Sequence, residues 1–524
     1  MSVDQNQIER RYSELCAALA DPPPSQELSS TTISAAIDFA REALKTVRGE
    51  LAVALLERLV ALAPATTEAW QLLGFAYGEA QRIPEAAAAF SRAAELDPRE
   101  PRIALAHAQA TLDAGFAAAA LFEHAHCLAP DNLAAVNGWA ASLSAQDRRG
   151  DAESLLADTL MRHPNWLAGH QRLASLRFSA GDSKNFARSF ATACRAQPQN
   201  LPLRVAWFSA IAQAHDWDAA LKIVSDGEQL IGAAPAFDVA RTFVASESGD
   251  RALAEQLFSR TAAIQDDVLD IAHLRHCLRT AQLEKAERLA NILMQRPSAH
   301  MIWPYLSLIW RLRGDARAQW LDGGSAYIRS FDLAYSGAEL TELAAALGRI
   351  HSAPAPYVEQ SVRGGTQTDA DRQLFFRAEP EIQTVRARVS AAIREYIAEL
   401  PAHAPGHPLL GVERGRIRFS GSWSVRLKSR GFYVSHTHPM GWISSALYVS
   451  LPARAQLGAA PAGWISLGAP PRALGVDLEP YARVEPKPGR LVLFPSTMWH
   501  ETLPFEEGER LVIAFDVMKP KPLD

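Results

Sequence analysis

Residues 431–451 read GFYVSHTHPMGWISSALYVSL, and residues 488–517 read PGRLVLFPSTMWHETLPFEEGERLVIAFDV. Both are built of short runs rich in β-branched and aromatic residues, closed by Pro or Gly, which is the pattern of brief strands joined by turns. His436 and His438 stand two apart where the first run meets the turn at Pro439 and Gly441, so an extended chain points both to one side. His500 ends the run RLVLFPSTMW launched from Pro488-Gly489, and Arg510 follows ten residues later on the next strand. Imidazoles are good ligands for ferrous iron, and three from two strands would close one face of a metal while leaving the opposite face open. A guanidinium on the following strand is placed to grip a carboxylate in a planar fork.

Working outward, the runs IRFSGSWSVRL (417–427), WISSALYVSLP, GWISLG, GRLVLFP and ERLVIAFDV continue the strand pattern. Many short strands in one stretch, preceded by helices, predict a jelly-roll barrel, that is, a double-stranded β-helix with flanking helices. Upstream, Ile382, Val385, Val389, Ile393, Tyr396, Ile397 and Leu400 recur at three- and four-residue steps and predict a helix with one apolar face. The segment HSAPAPYVEQSVRGGTQT (351–368) breaks alanine-rich helical text with Pro and Gly. The expected division is therefore a helical domain over 1–348 and a barrel domain over 349–524.

The helical part repeats itself, most clearly over 40–235. Trp70, Leu73, Gly74, Tyr77, Ala86, Phe90, Ala93 and Pro98 resemble the tetratricopeptide repeat, and Pro64, Pro98, Pro130, Pro164 and Pro198 recur at spacings of 34, 32, 34 and 34. Small residues let antiparallel helices approach, large ones fill the gap to the next hairpin, and Pro stops the second helix. The stretch after Gly232 is more degenerate, although Ala254 with Phe258 and Ala286 with Leu289 keep the spacing. Such an array predicts a superhelix whose groove takes a protein or peptide; the alternative is a homodimer contact or a prop for the second domain. His124, His126 and Cys127, like His273, His276 and Cys277, read as ordinary helix residues, because structural zinc takes four ligands and neither trio has a fourth.

At 524 residues the chain exceeds what one core accommodates. With 48% hydrophobic and 21% charged residues it has a globular composition. A net charge of −5 without a Lys/Arg block argues against nucleic acid as partner, and no apolar run reaches the roughly 18 residues of a membrane span. The start MSVDQNQIERRYSEL is too polar for a signal peptide. Four scattered cysteines without CxxC spacing suggest a reduced, cytoplasmic setting.

The motifs QSVRGGTQT (360–368), FSGSWSVRL (419–427), HTHPMGWISSALYVSLP (436–452), GRLVLFPSTMWHETLPF (489–505) and ERLVIAFDV (509–517) resemble a bacterial branch of the iron(II)/2-oxoglutarate oxygenase superfamily, often fused behind tetratricopeptide repeats. The resemblance implies a double-stranded β-helix core, with iron(II) as the metal, 2-oxoglutarate as co-substrate and molecular oxygen as reactant. It implies that His436 and His500 are metal ligands and that Arg510 binds the co-substrate. One position departs from it: the superfamily usually carries His-x-Asp or His-x-Glu, and here the third residue is His438. Either His438 ligates or water takes its place, with Asp516 as the fallback carboxylate. Tyr448 is a candidate hydroxyl donor to the co-substrate carboxylate beside its ordinary packing role, and Ser445 and Arg426 are further candidates. The implied activity is hydroxylation of a protein or peptide side chain. Its competitors are a non-catalytic repeat scaffold with a degenerate barrel and a cupin-like three-histidine metal dioxygenase that does not use 2-oxoglutarate.

Overall fold

The computed structural model describes residues 2–20, 28–45, 49–358, 360–369 and 372–520. Antiparallel helices occupy the N-terminal half. Gly49–Leu62, Thr67–Glu79, Ile83–Leu96 and Pro101–Asp113 open a series that continues, hairpin after hairpin, to Leu283–Leu293. The repeated prolines act as expected, since Pro64, Pro98, Pro130, Pro164 and Pro198 each fall just after a helix. Gly74 is required by close approach: a Cβ there would lie 2.7 Å from the Phe90 ring of the next helix. Asn200, Asp216, Asp250 and Asp266 each accept a backbone N–H at a helix start, satisfying donors that would otherwise lack partners.

The remainder forms an antiparallel sheet. Its strands are β1 (Arg329–Asp332), β2 (Val362–Gln367), β3 (Phe419–His436), β4 (Gly441–Ser450), β5 (Ile465–Leu467), β6 (Ala482–Val484), β7 (Arg490–Pro495), β8 (His500–Thr502) and β9 (Glu509–Met518). They are ordered β1-β7-β4-β9-β3-β8-β5-β6, with β2 also paired to β3. β3 makes the sheet curl. Its first half pairs with β9 and its last residues with β8, and Arg430 between them has a positive φ of 62°. The two runs expected as separate strands are thus one long bent strand, and the result is a jelly-roll-like curled sheet.

Two expectations are adjusted. β1 lies on the N-terminal side of the composition change near Gly348 and pairs with β7. His500 does not end the strand that starts at Arg490: β7 stops at Pro495, Met498 N–H bonds back to Pro495 O at 2.9 Å, and His500 opens β8. The turn at 496–498 redirects the chain, so the third histidine arrives beside the first. The expected helix spans Pro380–Glu399, and every residue of its predicted apolar face is buried.

The chain divides into two compact units. One comprises Met1–Leu156 with Phe375–Gln383, the other Ala157–Leu374 with Thr384–Asp524. Within the second, helices and sheet share a core: Leu274, Leu306, Ile309 and Leu321 cluster with Leu474 and Trp499. The Trp499 indole donates to Pro304 O at 2.9 Å and meets Tyr305 edge-on, so the residue before His500 is seated on helix Trp303–Leu312. Among the described residues no helix is long and apolar enough to cross a membrane.

Candidate metal centre

Cα register brings His436 of β3 directly opposite His500 of β8. His438 lies in the turn just beyond β3, where its N–H bonds Ser496 O at 2.9 Å and its carbonyl accepts from Gly441 N at 2.8 Å. The ligand nitrogens of His436, His438 and His500 lie within 4.8 Å of one another, the sole such group of three among the described residues. The trios around His126 and His276 form no comparable group; His276 instead hydrogen-bonds Glu255 at 2.9 Å.

Each ring is oriented through its outer nitrogen. His436 Nδ1 donates to Val434 O at 2.8 Å and His500 Nδ1 to Met498 O at 3.1 Å. Those bonds require the proton on Nδ1 and leave the Nε2 lone pair to a metal. Burial, reinforced by neighbouring His438, drives His436 down to about 3, and burial with the other two histidines drives His500 well below its ordinary value. Both are therefore neutral near pH 7, the ligating form.

His438 differs. Its Nδ1 donates to Asp516 Oδ2 at 2.6 Å, and Ser444 Oγ donates to Asp516 Oδ1 at 2.6 Å. Burial pushes His438 down, but the charge and hydrogen bond of Asp516 outweigh it and the net shift is upward. Asp516, the fallback ligand, accordingly stands behind His438 rather than among the grouped nitrogens.

The histidines open into a small pocket walled by Trp423, Val425, Leu427, Ile465, Val512, Ala514 and Arg510. Register pairs Trp423, Val425 and Leu427 with Ala514, Val512 and Arg510, so alternate residues of two strands face the same space. Arg510 is 2% exposed, and Tyr448 is fully buried. The guanidinium lies 4.8 Å from the Tyr448 ring centroid, and its Nη1 donates to Gly463 O at 2.5 Å. Arg510 Nε has no hydrogen-bond partner, the Tyr448 hydroxyl interacts with the guanidinium and the Ile465 backbone without a well-formed hydrogen bond, and no carboxylate among the described residues pairs with the cation. Burial lowers the Arg510 pKa against the opposing pull of Tyr448. A buried cation with idle donors is costly unless an anion completes it. The donor set thus fits both groups the resemblance implies, a divalent metal at three Nε2 atoms and a dicarboxylate reaching Arg510.

Other candidates are engaged elsewhere. Ser445 lines the pocket, but its hydroxyl both donates to Phe515 O and accepts from Phe515 N–H, each at 2.9 Å. Arg426 falls on the opposite face of β3 from Val425 and Leu427 and pairs with Glu509 at 2.7 Å. Trp442 donates to Leu409 O and packs the core. Sequence reasoning did not single out the Ser444–Asp516–His438 chain. Part of a signal was present, because Asp516 lies six residues from Arg510 on one strand and period two puts both on one face.

Residues 421–516 match the model of a family described as "Putative 2OG-Fe(II) oxygenase". The C-terminal part of the chain thus carries a domain of the 2-oxoglutarate/iron(II) oxygenase class. Similar solved structures include a Pseudomonas putida prolyl-4-hydroxylase, 20% identical, covering 37% of this chain and 94% of that one with a TM-score of 0.26. MamA from Desulfovibrio magneticus RS-1 is 15% identical, with 32% and 97% covered and a TM-score of 0.29. YrrB, described as a TPR protein with an unusual peptide-binding site, is 16% identical, with 32% and 88% covered and a TM-score of 0.28. No curated protein matches the chain.

Proposed function

We propose that this chain is an iron(II)- and 2-oxoglutarate-dependent oxygenase that hydroxylates a side chain of a protein or peptide held by the repeat helices, in a cytoplasmic setting. His436, His438 and His500 hold the metal through Nε2, and Arg510 with the Tyr448 hydroxyl holds the far carboxylate of 2-oxoglutarate. Residues 349–524 carry the metal and co-substrate residues, with β1 and the helix that seats Trp499 completing their fold, and the repeat helices of 1–348 serve substrate binding. The observation that carries the reading is the buried Arg510 with an idle Nε, lining the pocket the three imidazoles face and lying against the Tyr448 ring.

Iron(II) with bound 2-oxoglutarate supplies oxygen activation. The chain's own residues orient and enclose: carbonyls of Val434 and Met498 fix two rings, Asp516 fixes the third, and Trp423, Val425, Leu427 and Val512 keep water from the reacting centre.

A polypeptide substrate is supported by a second cavity. It has a volume of about 590 Å³, against about 50 Å³ at the histidines. Phe208, Trp217 and Phe243 of the helices form one side, and Gln360, Ser361 and Val434 of the sheet part form another. Val434 is the residue whose carbonyl holds His436, so the larger cavity borders the strand that ends at the metal site.

The test is anaerobic titration of the full chain with iron(II) and then 2-oxoglutarate, read by the metal-to-ligand charge-transfer absorption of the chelate. Arg510→Ala should keep iron and raise the 2-oxoglutarate requirement strongly, and Arg510→Lys should rescue only in part, because a point charge does not reproduce the fork. Iron binding without any chelate band would favour a three-histidine dioxygenase that does not use 2-oxoglutarate. Unchanged 2-oxoglutarate binding by Arg510→Ala would remove the co-substrate assignment.

A further inference from the structure

The geometry points to Asp516 as a positioning residue that supplies, from behind His438, the negative charge that a carboxylate ligand would supply directly. The three rings are not held alike. His436 and His500 donate to neutral backbone carbonyls, Val434 O and Met498 O. His438 alone donates to a carboxylate, at 2.6 Å, and that carboxylate is fixed on its other oxygen by Ser444 at 2.6 Å. Ser444 is locked in turn by Ser496 Oγ at 2.9 Å, and Ser496 O receives the His438 N–H. The loop that presents His438 and the carboxylate behind it therefore close on the same two serines, both essentially inaccessible to solvent.

The electrostatic consequence follows from counting charges. Three neutral imidazoles leave a divalent ion with its full double charge, whereas two imidazoles and one carboxylate leave a single net positive charge. A carboxylate hydrogen-bonded to the outer nitrogen of a ligating imidazole restores that sum one residue farther out. It also makes the imidazole a stronger donor and fixes its plane. Moving the charge outward exchanges a short metal–oxygen bond for a relay through the ring, so charge and ligation can be altered separately by substitution. Asp516→Asn is suited to this separation, because an amide oxygen can still accept from Nδ1 while the charge is gone.

The proposal rests on reading the three histidines as metal ligands, and its test reads metal binding rather than turnover. Full-length apo protein is titrated anaerobically with iron(II) and, in parallel, with cobalt(II), whose ligand-field absorption reports the donor set. Asp516→Asn should weaken both metals by about 10- to 100-fold, with the nitrogen-ligand pattern of the cobalt spectrum retained. The reduction potential of the bound iron should rise as the charge is withdrawn. Ser444→Ala, which keeps the charge but loosens it, should give a smaller loss. His438→Asp alone should bind worst, because it sets two carboxylates against each other. Combining it with Asp516→Asn should recover much of the affinity. Wild-type affinity and potential in a folded Asp516→Asn variant would overturn the proposal, as would a double variant no better than His438→Asp. Should Asp516→Asn alone not fold by circular dichroism, Ser444→Ala and the double variant still decide. A wild-type chain that binds neither metal would defeat the ligand reading as well, whereas variants that match a metal-binding wild type defeat this inference only.

Discussion

The helices around Trp70 and the helices between Leu269 and Leu321 differ in what they pack against. Around Trp70 the core is helix on helix throughout: Leu55, Leu56, Leu59, Leu73 and Ala76 cluster with one another and with Phe39. Around Leu306 the core takes in Leu474 and Trp499 of the sheet part. Polar anchors follow the same division. Arg279 donates to Ala473 O at 3.0 Å, Arg311 donates to the carbonyls of Gly468 and Glu479, and Tyr481 donates to buried Asp322 at 2.8 Å. A repeat keeps its consensus where its neighbour is another repeat, since each hairpin must offer the same small and large residues to the next. Where the neighbour is a curled sheet, that requirement lapses. Fading of the pattern between Leu269 and Leu321 thus marks helices with a different partner, not helices without one.

The largest effect expected from this contrast is on truncation. A chain beginning at residue 350 lacks β1, which covers the edge of β7, and lacks the helices that seat Trp499. We expect no cooperative unfolding transition and no stoichiometric iron binding from that fragment. A fragment that melts cooperatively and binds iron like the full chain would show that the helices only lean on the sheet.

Next in size are two tryptophans. Trp499→Ala should destabilise its unit by about 3–5 kcal/mol through lost packing, and should weaken metal binding because His500 is the next residue. Trp70 is half-buried, and its indole donates to Pro64 O at 2.9 Å within its own hairpin. Trp70→Ala should cost less and leave iron binding unchanged. Thermal melts with and without metal separate the two outcomes, and equal effects on metal affinity would break the comparison.

The two regions also differ in how much of them was legible beforehand. Trp70, Gly74 and Phe90 could be read because repeat packing is local and recurs at a fixed interval. His436, His438, His500 and Arg510 could be read because strand period and turn residues restrict where side chains point. β1 was missed because RSFD is a short run with no apolar alternation, and its pairing with β7 spans more than 150 residues. The tie between Asp516 and His438 was missed for a related reason: period two assigns a face, but it does not name the partner across it. His351, which bridges Thr366 Oγ1 at 2.9 Å and Ser424 Oγ at 3.0 Å, sits in the segment that read only as a domain boundary.

A charged contact tests the contrast at a smaller scale. Glu247, little exposed, accepts from Arg275 at 2.9 Å and from Arg279 at 2.7 Å. Burial pushes Glu247 up, but the two guanidinium groups prevail and its pKa is net lowered. A depressed carboxylate contributes stability that is present above its unfolded value and is lost as pH falls through the folded one. Glu247→Gln should therefore cost about 2 kcal/mol near neutrality and flatten the acid limb of the stability curve below roughly pH 4.3. The exposed pair Arg41–Glu68 belongs to the other region, and Arg41→Ala should have a much smaller effect, because water screens that pair. A pH-independent loss in Glu247→Gln would assign its role to shape instead of charge.

The smallest effects are the most discriminating, because two glycines in one helix should respond with opposite signs. Helix Thr67–Glu79 contains Gly74 and Gly78. A methyl at Gly74 would meet Phe90 ring carbons at 2.7–2.8 Å, while a methyl at Gly78 would meet nothing within 4 Å. Alanine gains about 1 kcal/mol over glycine in a helix interior at either site. At Gly74 that gain is set against roughly 1–3 kcal/mol of overpacking, since an aromatic ring wedged between two helices has little room to retreat. Gly74→Ala should thus destabilise by about 1 kcal/mol and Gly78→Ala should stabilise by up to about 1 kcal/mol, the position near the helix end trimming the benefit. Both should leave metal affinity at the histidines unchanged. Equal and stabilising shifts would mean that the hairpins of this region are packed loosely enough to absorb a methyl, and the close helix approach that the repeating pattern demands would not be what holds them together.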